Sequence, residues 1–156
     1  MCGFAGEVKF GGGAADVAAV ERMTDRLAPR GPDGAGLIAH DGVALGHRRL
    51  KIIDLSNASQ QPLVDPGLGL TIVFNGCIYN YRELRAELEE RGYAFFSEGD
   101  TEVLLKAYHA FGPEFLSRLH GMFAFAIHER ESGRAVLGRD RFGIKPLYLA
   151  PSPGRL

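Results

Sequence analysis

Apolar and polar residues alternate over residues 2–10, so that Cys2, Phe4, Gly6, Val8 and Phe10 share one side and Glu7 and Lys9 the other, the period of a half-buried strand. Cys2 therefore points toward the apolar side. Val17, Val20, Met23 and Leu27 recur at near-helical spacing until "PRGPDGAG", with two prolines and three glycines, ends the helix in a tight loop. Strands over residues 36–40 and 43–49 flank Asp41 and Gly42, a hairpin signal, and in the second of them Val43, Leu45, His47 and Arg49 share a face.

The run "LTIVFNG" is apolar on both faces, which suits a strand covered from both sides. Residues 80–92 predict a helix with Asn80 as N-cap, Glu83 in the capping-box position, Leu84 and Leu88 on one face and Gly92 as the stop. Residues 100–112 repeat the design, with Asp100 as N-cap and Gly112 as stop, and residues 113–119 add a short helix. Residues 121–129, 133–140 and 145–150 read as strands. Helices set between groups of antiparallel strands, some buried on both faces, predict a layered α+β sandwich. The sequence ends in "PSPGRL", a turn-like composition after a strand, so a piece of a longer chain is expected.

Composition narrows the partners. A chain of 156 residues suits one domain with a substantial core, and its 21 glycines, nearly twice the usual share of about 7%, call for many turns and close backbone approaches. A net charge of −1 leaves no basic field for nucleic acid or an acidic membrane. The longest uncharged stretch, residues 66–81, contains Asn75 and Asn80 and falls short of the roughly 20 apolar residues of a membrane span. The expected location is the cytoplasm, where Cys2 and Cys77 would be free thiols. His40, His47, His109, His120 and His128 lack the close pairing of a zinc site, so no metal is required.

Cys2 follows the initiator methionine directly, and a small residue at that position permits methionine removal. The exposed α-amine would have a pKa near 7.7 to 8.0, against about 10.4 for lysine, so roughly a third of it is neutral at pH 7.5. An N-terminal cysteine would thus carry nucleophile and base on one residue. Taken alone, a cysteine on an apolar strand face is more often a buried, inert hydrophobe.

Further segments decide between these. "MCG", "RGPDG", "GHRRLKIIDLS", "QQPL", "VFNGCIYNYRELRAEL", "DTEVLL", "GMFAFAI" and "RDRFGIKPLYLA", in this order, resemble the glutaminase domain of class II glutamine amidotransferases of the asparagine-synthetase type, within the N-terminal nucleophile hydrolases. The resemblance covers residues 1–150. It implies a four-layer αββα sandwich of two antiparallel sheets flanked by helices. Carried over, Cys2 is the nucleophile that attacks the side-chain amide of glutamine, and Arg49 grips the substrate α-carboxylate. Asn75, through its side-chain amide, and Gly76, through its backbone N–H, form the oxyanion hole; without the resemblance "NG" reads as a turn. Asp100 binds the α-amino group, a role compatible with capping. The "RGPDG" loop is structural, with Arg30 as a contributor, and "RDRFGIKPLYL" is core and interdomain packing.

One position departs from the pattern. The family commonly has "NGEIYN", whose glutamate helps to hold the substrate amine, and here that residue is Cys77. Asp100 must then carry more of the ammonium, and "NGCIYNYRELR" resembles the N-acetylglutaminylglutamine amidotransferases. The resemblance implies glutamine as substrate, no cofactor in this domain, and a C-terminal synthetase domain in the same longer chain that uses ATP and Mg²⁺. A homodimer is an open option. The competing reading is a weakened or silent docking module with ammonia supplied directly.

Overall fold

A computed structural model describes residues 1–156. Strands β1 (Gly3–Val8), β2 (Gly34–His40) and β3 (Val43–Arg49) form an antiparallel sheet in the order β1-β3-β2. Strands β4 (Leu63–Asp65), β5 (Leu70–Ile78), β6 (Gly121–Glu129) and β7 (Ala135–Arg139) form a second, in the order β4-β5-β6-β7. Helix α1 (Val17–Arg26) covers the outer face of the first sheet, while α2 (Tyr81–Glu90), α3 (Asp100–Phe111) and the short α4 (Phe115–Arg118) cover the second. Two antiparallel sheets flanked by helices are the α+β sandwich that the pattern predicts.

Each layer boundary has its own apolar cluster. Ala15, Val20 and Ala44 join α1 to the first sheet, and Val8, Val43, Leu45, Val73 and Ala126 fill the gap between sheets. The largest cluster, including Phe74, Leu88, Leu104, Phe125 and Ile127, lies between the second sheet and its helices. Strand β6 shows how the sequence sorts these layers. In "FAFAI", Phe123, Phe125 and Ile127 face the helices, while Ala124 and Ala126 face the other sheet and let it approach.

Four local expectations are corrected. The buried face of α1 is Val20 and Thr24, with Val17 and Met23 exposed. Thr24 satisfies its hydroxyl by donating to the Val20 carbonyl, and it seats against Gly46, where a Cβ would lie 2.0 Å from Thr24 Oγ1. Asn80 makes no cap bond; its amide donates to the Arg118 carbonyl and accepts from the His120 N–H, tying the start of α2 to the start of β6. Asp100 is the first residue of α3, with Gly99 in the cap position, because its carboxylate accepts from Ile78 of the neighbouring strand. Residues 145–150 form no strand, since no neighbouring strand pairs with them.

Candidate active site

The site is an unfinished sheet edge. Strand β4 pairs with β5 only as far as Leu63 opposite Ile72, leaving the edge of β5 that faces away from β6 without a strand partner from Phe74 to Ile78. Strand alternation sends the N–H groups of Phe74, Gly76 and Ile78 to that open edge, away from β6. Side chains replace the missing strand at both ends. Phe74 N–H donates to Gln61 Oε1 at 2.6 Å, the Phe74 carbonyl accepts from His47 Nε2 at 3.0 Å, and Ile78 N–H donates to Asp100 Oδ2 at 2.9 Å. Between them the Gly76 N–H faces a cavity of about 200 Å³.

Cys2, Arg49, Asn75, Gly76, Cys77 and Asp100, the residues singled out from the sequence, all line that cavity. They come from β1's N-terminal end, β3, β5 and the first turn of α3. Asn75 and Gly76 lie within β5, opposite Ala124 and Phe123, so "NG" is not a turn. Glycine is required there by proximity: a Cβ at Gly76 would lie 2.4 Å from the Met122 carbonyl oxygen and 2.8 Å from Phe123 Cα.

The half-buried Cys2 sulfur receives the Leu50 N–H at 3.3 Å. Arg30 secures the segment from below, donating from Nε to the Cys2 carbonyl at 3.2 Å while its own carbonyl accepts from the Met1 ammonium at 2.9 Å. Arg49 is buried, and donates to the carbonyls of Ser56 and Asp54. Those two bonds fix the guanidinium and leave its remaining N–H groups for a ligand. Burial works against ionisation of Asp54. Donors from Ser59, Ser56 and Glu98 outweigh it and hold the carboxyl well below its usual range.

Burial dominates at Asp100, Cys77 and His47. It pushes the Asp100 carboxyl up to about 6, against the N–H donors of Ile78, Asp100 and Thr101. Burial and the neighbouring Asp100 raise the Cys77 thiol, with Lys145 opposing them. Burial lowers His47 to about 4, against its bond to the Phe74 carbonyl, so the ring is neutral and donates from Nε2. Its Nδ1 has no partner.

Sequence reasoning gave no role to His47, Gln61, Asp54, Thr101 or Lys145. Gln61 links the open edge to α3 through a 3.2 Å bond from Nε2 to Thr101 Oγ1. His47 and Gln61 were in view, inside "GHRRL" and "QQPL", and the period-two pattern already turned His47 inward. Lys145 lies in a segment read as core and interdomain packing, and the core half of that expectation is inverted: Phe142 and Tyr148 are exposed while Asp140 and Lys145 are buried. A larger cavity of about 650 Å³ opens between the sheets, but its lining is mainly apolar and, of the residues named from the sequence for the site, includes only Asn75 and the loop residue Arg30.

Residues 1–155 match the glutamine amidotransferase domain model, and the chain belongs to that family. It is 44% identical over 151 residues to asparagine synthetase [glutamine-hydrolyzing] 1 of Bacillus subtilis strain 168, covering 95% of this chain and 24% of that protein. Asparagine synthetase B [glutamine-hydrolyzing] of Escherichia coli K12 is 47% identical over 120 residues, 77% of this chain and 21% of the relative. The chain thus spans about a quarter of the length of these relatives. Among solved structures, the glutamine phosphoribosylpyrophosphate amidotransferase of B. subtilis superposes with a TM-score of 0.71 at 23% identity, over 90% of this chain and 37% of that one, a likeness of fold.

Proposed function

We propose that this chain hydrolyses the side-chain amide of glutamine to glutamate and ammonia, with Cys2 as an N-terminal nucleophile. The observation that carries the reading is the convergence of Cys2, Arg49, Asn75, Gly76 and Asp100 on one cavity at the open edge of β5. Removal of Met1 gives Cys2 its own α-amine as base. Arg49 receives the substrate α-carboxylate in its fixed fork, and Asp100, ionised above about pH 6, receives the α-ammonium. The sulfur attacks the amide carbon while the Asn75 side chain and the Gly76 N–H hold the developing oxyanion, each donor worth ~3 kcal/mol in the transition state. The amine passes its proton to the departing ammonia, and water then hydrolyses the γ-glutamyl thioester.

Each of these steps uses groups of this chain. The ammonia serves a synthetase portion of a longer protein, as the names of the relatives suggest, and any ATP and Mg²⁺ requirement belongs to that portion. The test is ammonia release from glutamine by protein shown by intact mass to lack Met1. Cys2→Ala should abolish it, and a glutamine-like diazoketone should add one covalent adduct to the Cys2 peptide. Hydrolysis that survives Cys2→Ala, or a chain that keeps Met1 in its functional form, overturns the reading in favour of a docking module.

A further inference from the structure

Lys145 is 3% exposed and lines the same cavity as Cys2, Cys77 and Asp100. A buried ammonium costs several kcal/mol unless it is paired and hydrogen-bonded. Its side chain has one partner, the Met1 thioether at 2.6 Å, an uncharged and weak acceptor. The loop that carries it is held by polar bonds. The buried Asp140 carboxylate accepts N–H groups from Phe123, Phe142, Ile144 and Lys145, which pins the loop to β6, while Phe142 is 85% exposed. Apolar burial does not explain why a lysine is pointed inward here.

The other charged groups at the cavity are engaged. Arg49 is bound to the carbonyls of Asp54 and Ser56, and Asp54 to Ser56, Ser59 and Glu98, while Arg30, outside the cavity lining, is bound to the Cys2 carbonyl. Asp100 is bound to Ile78, and His47 on β3 is neutral. Cys77 lines the cavity with Asp100 and Lys145 and feels both charges, which act on its thiol in opposite directions.

We propose that Lys145 is a charge-setting residue of this site: with Met1 removed, its ammonium loses its partner, faces the Cys2 end of the cavity and favours the form of Cys2 that has released a proton. The inference rests on the glutaminase reading above. A processed Cys2 carries a thiol and an α-ammonium. Loss of one proton to solvent leaves either thiol with free amine or thiolate with ammonium, and both carry one positive charge fewer. A nearby cation therefore favours both over the parent form.

The experiment compares Met1-free wild type with Lys145→Met and Lys145→Arg, all with matching near-ultraviolet circular dichroism. It measures iodoacetamide alkylation of the Cys2 peptide by mass spectrometry at about pH 7, and the pH profile of kcat/KM for glutamine. Lys145→Met should slow alkylation about tenfold and move the acid limb of kcat/KM up by about one pH unit, and Lys145→Arg should restore both. Should Lys145→Met fail to fold, Lys145→Gln replaces it. Unchanged alkylation and an unmoved limb in a folded variant overturn the proposal, as does a rise in KM alone, which would make Lys145 a substrate-binding group. The alkylation arm needs no glutamine, so a wild type that fails to hydrolyse glutamine defeats the glutaminase reading without deciding the role of Lys145.

Discussion

Asp100 sets binding against stability within one side chain. Its carboxyl is pushed up to about 6 from 3.8, so the folded state holds this proton more tightly than the unfolded chain. The sign follows from that order. Stability from this group is present below about pH 4 and is lost as pH rises through 6, a loss of about 3 kcal/mol at neutral pH. On the proposed reading ionised Asp100 is nevertheless the form that receives the substrate ammonium, and Cys77 adds no negative charge beside it. Asp100→Asn should therefore raise KM for glutamine more than tenfold at pH 7.5 while raising Tm at that pH relative to wild type, with the Tm gain vanishing near pH 4. In the wild type, KM should climb as pH falls through 6. A KM flat between pH 5 and 7.5, or a Tm difference independent of pH, would separate Asp100 from both roles.

Strand β5 does its work because β4 is short. Backbone groups that would be consumed by a longer neighbour are instead taken by Gln61, His47 and Asp100, and the Gly76 N–H remains directed at the cavity. His47→Leu leaves the buried Phe74 carbonyl without its donor, a loss of about 1–3 kcal/mol in stability. It should lower kcat for glutamine hydrolysis at least fivefold with KM within twofold of wild type, because on the proposed reading the Phe74–Asn75 peptide aims the oxyanion donors and does not touch the α-carboxylate or the α-amine. Steady-state kinetics and urea denaturation check both parts; a rise in KM alone would place His47 elsewhere in the site. This level was only partly legible in the sequence. Alternation placed His47 and Arg49 on one inward face, whereas Asp100 read locally as a helix cap and only the resemblance brought it to the site. That β4 ends at Leu63, and that an amide and an imidazole take over its hydrogen bonds, depends on pairing between segments far apart in the chain, which no local pattern records.

The site exists only while the layers keep their spacing. Arg49 belongs to the first sheet and Cys2 directly precedes its strand β1, Asn75, Gly76 and Cys77 belong to the second, and Asp100 to the helical layer beyond it. A layered α+β sandwich was legible because strand alternation and helical periodicity sort large from small residues, as in "FAFAI", while the number of layers came from the resemblance. Exceptions such as Thr24 against Gly46, or the inverted segment around Lys145, arise where a close approach or a buried charge outweighs hydropathy. Two alanines on the same face of β6 test the spacing. Ala126 borders the cavity of about 650 Å³ between the sheets, whereas Ala124, fully buried opposite Asn75, does not line it. Ala126→Leu should fill empty volume and leave Tm and glutaminase activity near wild type. Ala124→Leu must push the sheets apart or displace Asn75, at about 1–3 kcal/mol, and should cut kcat at least tenfold although residue 124 touches no substrate. Equal effects of the two substitutions on activity would show that the distance between the sheets does not control the chemistry.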